Sequence, residues 1–193
     1  MVLKGILPFT RSIIEQVVRP GDTVVDATMG NGRDTLFLAR LVGERGQVLA
    51  YDIQKEAVLK TTARLQGENC DQQVRLLHKG HETLEEELTL LQAPVSAAMF
   101  NLGYLPGGNK AIVTQPETTI QALHGLRPYL KKGGVATLVI YTGHDQGKKE
   151  CTHLTRELAT WDQQAFHVLK YQFINQKNDP PFLIAIQKLH QAE

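Results

Sequence analysis

Short apolar segments of strand length alternate with helix-period segments along nearly the whole chain of 193 residues. The predicted strands span residues 23–27, 47–52, 74–78, 95–101, 134–141, 166–174 and 182–188. The predicted helices span residues 6–18, 33–42, 55–65, 83–91, 114–130 and 145–160. Strands that are almost continuously apolar are typical of a parallel sheet buried between two layers of helices. The alternation therefore predicts a doubly wound α/β fold.

The last two predicted strands depart from this pattern. A turn around residues 178–181 (NDPP) separates them and leaves no room for a crossover helix, so the two strands must be antiparallel to each other. Residues 114–117 (TQPE) have the spacing of a capping box with proline in the first turn, which predicts the start of a helix. No internal repeat, low-complexity tract or linker interrupts the sequence, and we expect residues 1–193 to form a single domain.

Composition and charge exclude several classes of protein. The chain is 42% hydrophobic, which is enough for a full core and too much for a disordered chain. Its net charge of +1 excludes binding to nucleic acid or membrane by bulk charge alone. The two cysteines, Cys70 and Cys151, lack zinc-ligand spacing and fit a reducing compartment. No signal peptide is evident, and no apolar stretch approaches the roughly 18 residues that span a bilayer. We therefore expect a soluble, cytoplasmic protein without a metal site.

The first predicted strand runs into residues 26–32 (DATMGNG), a loop that precedes a helix. Such a loop lies at the carboxyl end of a central strand, where doubly wound sheets bind ligands. Gly30 and Gly32 allow positive φ and close approach of the backbone, and the following helix presents free N–H groups to an anionic group. Asp52 ends the second strand, 20 positions after Gly32. A carboxylate at this position binds the ribose hydroxyls of an adenosine cofactor.

Two classes of cofactor use this arrangement. A dinucleotide site needs a third glycine at position 35, and this sequence has Thr35 there. Asp26 precedes the glycines and would repel a pyrophosphate, whereas it suits a ligand with an ammonium group, such as the methionine end of S-adenosylmethionine. The simpler alternative is that the glycines only make a turn and that Asp52 is a solvated strand end. Taken together, these residues favour S-adenosylmethionine.

A second motif, residues 99–108 (MFNLGYLPGG), follows the fourth predicted strand. It lies across the switch point of the sheet from the glycine loop. Amino-group methyltransferases place an Asp/Asn-Pro-Pro-Tyr/Phe motif here, and NLGY is a looser relative of that motif. The side-chain carbonyl of Asn101 can accept a hydrogen bond from an amine nucleophile, and Tyr104 can stack on a flat base. On these residues alone, it is equally open that Asn101 caps a turn and Tyr104 packs.

Five motifs, in order along the chain, are similar to those of the YtqB/MnmM-type class I methyltransferases, a family long labelled as rRNA methylases: VDATMGNGRDTLFLA, AYDIQKEAV, FNLGYLPGG, IYTGH and NDPPFL. The resemblance covers nearly the whole chain. It implies a seven-stranded, Rossmann-like fold that binds S-adenosylmethionine. The implied activity is methylation of the 5-aminomethyl group on the wobble (2-thio)uridine of tRNA.

The same resemblance implies a role for individual residues. The methionine pocket is expected from Asp26, Thr28, Gly30, Asn31, Gly32, Asp34 and Thr35. Asp52 is expected at the ribose, Ile53 and Gln54 beside the adenine, and His81 and Glu82 on its other side. Asn101 is expected at the methyl group, so the predicted catalytic residues are Asn101 and Tyr104. Residues 142–147 (TGHDQG) depart from the family, which tends toward Pro-Gly-His and a more glycine-rich loop.

Basic residues fall in segments at the predicted upper rim of the sheet and predict contacts with the phosphates of a tRNA anticodon stem-loop. The predicted RNA-binding residues are Lys4, Arg11, Arg33, Lys110, His144, Lys148 and Lys177. Three alternatives stay open: the same chemistry on rRNA or on a small-molecule amine, a non-catalytic RNA-binding module, and a nicotinamide oxidoreductase, which Thr35 disfavours. We expect a monomer or a homodimer.

Overall fold

The structure is a computed structural model that describes residues 2–143 and 145–189. Its helices are α1 (Ile6–Val17), α2 (Arg33–Val42), α3 (Lys55–Gly67), α4 (Leu84–Leu91), α5 (Pro116–Leu126) and α6 (Asp145–Leu158). Its strands are β1 (Thr23–Asp26), β2 (Gln47–Tyr51), β3 (Val74–Leu77), β4 (Val95–Asn101), β5 (Leu130–Ile140), β6 (Phe166–Tyr171) and β7 (Phe182–Lys188). A 3₁₀ turn, His81–Thr83, precedes α4. Each predicted strand and helix therefore has a counterpart in the structure.

The strands form one seven-stranded sheet in the order β3-β2-β1-β4-β5-β7-β6. The strands β1 to β5 pair in parallel, whereas β7 is antiparallel to both β5 and β6. The predicted α/β class, the mostly parallel sheet and the antiparallel closing pair are confirmed. The order reverses between β1 and β4, so the loops that follow these two strands begin side by side.

Helices cover both faces of the sheet. On one face, α1, α2 and α3 pack against inward residues such as Val24, Val48 and Ala97. On the other face, α4, α5 and α6 pack against Val25 and Leu49, which alternate with the first set along the strands. Both side-chain sets of the central strands are therefore buried, which explains their continuous apolar sequence. None of the described helices is long and apolar enough to cross a membrane.

The predicted start of α5 is confirmed, with Pro116 in its first turn, but the predicted capping box does not form. The N-cap is Gln115, which makes no side-chain cap bond, and the Thr114 hydroxyl donates to Glu150 at 2.8 Å.

Three other predicted boundaries, the end of α5, the start of β5 and the end of β6, are wrong by three or four residues. The helix α5 ends at residue 126, and β5 begins at residue 130 because Leu130 already pairs with β4. The strand β6 ends at Tyr171, where its pairing with β7 stops.

Candidate active site

The loops that follow β1 and β4 meet at the carboxyl edge of the sheet. Asp26, the last residue of β1, pairs with Met99 of β4. The N–H of Ala27 donates to the Met99 carbonyl at 2.8 Å. The backbone N–H of Asn101 donates to Oγ1 of Thr28 at 2.7 Å. The glycine loop and the motif after the fourth strand are thus in direct contact.

Glycines shape the loop after β1. Gly30 and Gly32 have φ of 51° and 75°, in the left-handed region that favours glycine. A Cβ at Gly32 would lie 2.8 Å from Oγ1 and 3.0 Å from Cα of Thr61, so α3 leaves no space for a side chain. Gly32 is also the N-cap of α2. Asn31 donates through Nδ2 to the Pro106 carbonyl at 3.2 Å, a second contact with the loop after β4.

Asp26 supports the glycine loop from beneath. Its Oδ1 accepts from the Thr28 N–H at 3.1 Å, and its Oδ2 accepts from the Thr35 hydroxyl at 2.6 Å. The residue is 1% exposed. Burial, and then the nearby Asp34 carboxylate, raise the pKa of Asp26 to about 7. The carboxyl group that the sequence assigns to the methionine pocket therefore also holds the glycine loop in place, through its hydrogen bonds with Thr28 and Thr35.

Asp52 follows β2 directly and connects two backbone segments. Its Oδ2 accepts from the Gly30 N–H at 3.0 Å, and its Oδ1 accepts from the Gln54 N–H at 2.9 Å. Burial raises the pKa of Asp52. Each carboxylate oxygen has two lone pairs, so each can accept a further hydrogen bond from a hydroxyl. Ile53 is 58% exposed beside it and presents an apolar surface.

His81 and Glu82 lie at different depths. His81 is buried, packs edge-on against Phe100, and places Nδ1 3.0 Å from the Ala27 carbonyl. Because a carbonyl only accepts, Nδ1 carries a proton. Burial lowers the pKa of His81. His81 thus supports the backbone of the glycine loop, whereas Glu82 is partly exposed beside Gly80.

A small cleft lies where α1 and α2 approach the ends of β4 and β5. On its wall, Nδ2 of Asn101 donates to Oδ2 of Asp34 at 2.8 Å. Oδ1 of Asp34 accepts from Nη2 and Nε of Arg11, at 2.8 and 3.3 Å. Among the described residues, the buried Oδ1 of Asn101 has no hydrogen-bond partner. We call Arg11, Asp34 and Asn101 the cleft cluster.

Tyr104 lies at the exposed side of the site. Its side chain is 42% exposed, and its backbone pairs with Val113 through an isolated β-bridge. The ammonium of Lys110 lies 5.8 Å from the centre of the Tyr104 ring, within the range of a cation–π contact. The predicted aromatic residue is therefore accessible, and one of the predicted RNA-binding lysines is next to it.

Tyr141 also borders the site and is absent from the predicted residues. Tyr141 follows β5 and is 37% exposed. It lies next to Gly103, since a Cβ built on Gly103 would be 3.9 Å from the Tyr141 ring. Burial, and then the charge of Asp34, raise the pKa of Tyr141. The one sequence feature that could have predicted Tyr141 as a site residue is its position in the IYTGH motif.

The predicted RNA-binding residues differ in their surroundings. Arg11 belongs to the cleft cluster, and Nζ of Lys148 pairs with Oδ2 of Asp179 at 3.1 Å. Five of the residues are exposed: Lys4, Arg33, Lys110, Lys148 and Lys177. His144 lies outside the described residues.

A second polar cluster, which was not predicted, lies in the layer formed by α4 to α6. Glu150 of α6 is 2% exposed; its Oε1 accepts from the Thr119 hydroxyl at 3.0 Å and its Oε2 from the Thr114 hydroxyl at 2.8 Å. Oγ1 of Thr119 lies 3.5 Å from Nε2 of His81, and Oγ1 of Thr114 accepts from the Gly103 N–H at 2.9 Å. We call His81, Thr114, Thr119 and Glu150 the buried cluster. It connects the glycine loop with the loop after β4.

Comparison with known proteins adds relatives of stated activity. Residues 48–187 match the family described as "Putative rRNA methylase". The "tRNA (mnm(5)s(2)U34)-methyltransferase, chloroplastic" of Arabidopsis thaliana is 44% identical over 144 residues, which are 70% of this chain and 52% of that protein. The chain thus spans about half the length of this relative.

Two solved structures resemble the whole described fold. A "putative rRNA-methylase" from Clostridium thermocellum is 46% identical, with a TM-score of 0.95 over 98% of this chain and 100% of that one. A "putative methyltransferase" from Streptococcus mutans, solved in complex with SAH, is 38% identical, with a TM-score of 0.88 over 97% of this chain and 99% of that one.

Proposed function

The chain belongs to the family described as "Putative rRNA methylase", and we propose that it is an S-adenosylmethionine-dependent N-methyltransferase that acts on tRNA. Its substrate is the 5-aminomethyl group of the wobble (2-thio)uridine, and its product is 5-methylaminomethyl-(2-thio)uridine. The name of the Arabidopsis relative, which refers to mnm(5)s(2)U34, supports this substrate. The observation that carries the proposal is the buried Oδ1 of Asn101, an acceptor without a partner in the described part of the chain.

The residues of the cleft and the glycine loop fit S-adenosylmethionine. The buried carboxyl group of Asp26 lines the cleft, so a positively charged ligand is favoured there over a pyrophosphate. The Asp34 carboxylate, also on the cleft wall, is already paired with Arg11. Asp52 can accept from the two ribose hydroxyls, and the exposed Ile53 can contact the adenine. S-adenosylmethionine supplies a methyl group on a positively charged sulfur, which is already a strong electrophile. The protein therefore has mainly to position the amine.

Asn101 orients the nucleophile. An uncharged amine has N–H donors and one lone pair, and Oδ1 of Asn101 accepts one N–H, which directs the lone pair away from this oxygen and toward the methyl group. With the cofactor bound, the N–C bond would form as the S–C bond breaks, and the methylated nitrogen would release one proton to water. A buried acceptor without a partner costs about 1–3 kcal/mol. The amine removes this cost when it binds.

The RNA side of the site combines an aromatic ring with separate positive charges. Tyr104 is exposed and can stack on the uracil base, with Lys110 beside it. The exposed Lys4, Arg33 and Lys177 can contact phosphates of the anticodon stem-loop. Because the net charge is only +1, recognition depends on the shape of one loop and on stacking rather than on bulk charge. The enzyme acts in the cytoplasm, as a monomer or a homodimer.

Nucleoside analysis tests the substrate. We expect tRNA from a deletion strain to accumulate 5-aminomethyl-(2-thio)uridine, as measured by mass spectrometry, and plasmid-borne wild-type protein to restore the methylated nucleoside. An Asn101→Ala plasmid serves as the inactive control. If the tRNA nucleosides are unchanged in the deletion strain, the proposed substrate is wrong.

Ribosomal RNA is the second candidate substrate, because the family description and the Clostridium relative both name rRNA methylation. The same deletion strain distinguishes the two. Loss of a methylated nucleoside from rRNA, with unchanged tRNA, would favour rRNA. The purified protein with unmodified tRNA, unmodified rRNA and labelled S-adenosylmethionine gives the direct comparison.

A further inference from the structure

The orientation of the Asn101 amide is decided by its neighbour. An asparagine amide presents an acceptor at Oδ1 and two donors at Nδ2, and the two ends are similar in shape. A carboxylate only accepts hydrogen bonds, so the end that contacts Asp34 Oδ2 must be the NH₂ group, at 2.8 Å. The carbonyl oxygen is therefore the end that stays buried and without a partner among the described side chains.

Asp34 is itself held in place from a different helix. Nη2 and Nε of Arg11, in α1, both donate to Oδ1 of Asp34, which leaves Oδ2 for Asn101. The guanidinium also lies 5.1 Å from the centre of the Phe37 ring, a cation–π distance. The Asp34 side chain is 15% exposed and that of Arg11 is 41% exposed. One carboxylate thus joins α1, α2 and the end of β4.

We propose that Asp34 and Arg11 are positioning residues that keep the Asn101 oxygen, rather than its NH₂ group, directed at the reacting amine. This inference rests on the proposed function. If the amide rotated by 180°, its NH₂ group would donate to the lone pair of the amine, and that lone pair could no longer attack the methyl group. Asp34 therefore makes the site specific for a nucleophile that donates an N–H. Arg11 acts through Asp34.

The proposal differs in its consequences from the roles that the sequence predicts. If Arg11 contacted RNA phosphate, its loss would raise KM for tRNA and reduce the salt dependence of binding. If Asp34 contacted the cofactor, its loss would weaken the affinity for S-adenosylmethionine. If both orient Asn101, their loss lowers kcat and changes either affinity little, because the amide still occupies the same space.

The sharpest variant is Asp34→Asn, which keeps the shape of the side chain but can present either an oxygen or an NH₂ group to Asn101. We expect kcat on tRNA to fall about 10²-fold, the cost of a small misplacement of a reacting group, with little change in the Kd for S-adenosylmethionine in calorimetry. Arg11→Ala should give a smaller loss of kcat with KM for tRNA unchanged. Arg40→Ala removes a comparable ion pair with Glu68 on the outer side of α2 and should leave kcat unchanged.

A readout without substrate or cofactor separates this inference from the proposed function. In the protein labelled with ¹⁵N at asparagine, the side-chain NH₂ signal of Asn101 is assigned by its disappearance in Asn101→Asp. We expect that signal to move in Asp34→Asn and Arg11→Ala and to stay in place in Arg40→Ala, with melting temperatures checking that each variant folds.

An unmoved Asn101 signal in Asp34→Asn overturns the inference. So does a wild-type kcat with weakened cofactor binding, or an Arg11→Ala defect confined to KM. If the NMR result holds but the wild-type protein does not methylate tRNA, only the proposed function fails.

Discussion

The cleft cluster and the buried cluster lie in opposite helical layers, and each is held together by one acidic side chain. In the buried cluster, Glu150 accepts from two threonine hydroxyls, and no buried side-chain oxygen of the cluster lacks a partner in residues 2–143 and 145–189. In the cleft cluster, the connection ends at Asn101 Oδ1, which has none. Since an unpaired buried acceptor is costly, we propose that the first cluster stabilises the fold and that the second binds a ligand.

Removal of the unpaired acceptor should have the largest effect on activity. In Asn101→Ala, we expect turnover to fall about 10²-fold or more, the range found when one positioned hydrogen-bonding group is removed from an active site. Calorimetry should show a nearly unchanged affinity for S-adenosylmethionine, since Asp52 and the glycine loop remain. Turnover near that of the wild type would show that Asn101 takes no part in the reaction. The two clusters would then not differ in function as proposed.

The opposite result is expected in the buried cluster. Glu150→Ala leaves the hydroxyls of Thr114 and Thr119 without their acceptor, and we expect a loss of about 1–3 kcal/mol in the free energy of unfolding, measured by urea denaturation. The turnover of the folded fraction should change much less than in Asn101→Ala. A folded Glu150→Ala protein with an Asn101-like loss of turnover would show that the clusters share one function.

Asp52 is intermediate between the two clusters. It is hydrogen-bonded within the protein, and it also lies at the carboxyl edge of the sheet, where we propose that the cofactor binds. We expect Asp52→Ala to weaken cofactor affinity by about tenfold or more, a change of roughly 1.4 kcal/mol. The variant loses the ribose acceptor and the bond to the Gly30 N–H together. Asp52→Asn is the matched control, since it retains one acceptor oxygen. An unchanged Kd in Asp52→Ala, measured by calorimetry, would place the cofactor elsewhere.

The smallest effect is a difference in pH dependence. Burial raises the pKa of Glu150 in the folded state above its unfolded value, so its contribution to stability is fully present below about pH 4.5 and is lost as pH rises through the folded pKa. Burial lowers the pKa of His81, so its contribution has the opposite sign: stability rises with pH up to the unfolded value, about 6.5. Glu117 also faces Glu150 and acts in the same direction as burial.

The test compares wild type with Glu150→Gln by urea denaturation from pH 4.5 to 7. We expect the unfolding free energy of the wild type to decrease relative to that of the variant as pH rises, because only the wild type has a buried carboxyl group to ionise at this position. A constant difference over this range would mean that Glu150 does not titrate there.

Much of the fold was predictable because it depends on local pattern. Continuous apolar strands, helical periodicity and the short turn at residues 178–181 predict the α/β class and the antiparallel closing pair, and the structure confirms them. The errors fall where a distant partner overrides a local signal. Thr114 has the spacing of a helix cap, yet its hydroxyl donates to Glu150, 36 positions later. Leu130 extends β5 because β4 is there to pair with it.

The sequence by itself determined the residue types that the proposed chemistry would use: two glycines and an acid for a nucleotide-like cofactor, and an Asn-Leu-Gly-Tyr motif for an amine. Only the tertiary structure decided how they are used. It pairs Arg11 with Asp34 and Asp34 with Asn101, and so decides which end of the Asn101 amide is free. The reason is physical: residue type and spacing fix the available donors and acceptors, but a hydrogen bond between residues 67 positions apart exists only once the sheet brings them together.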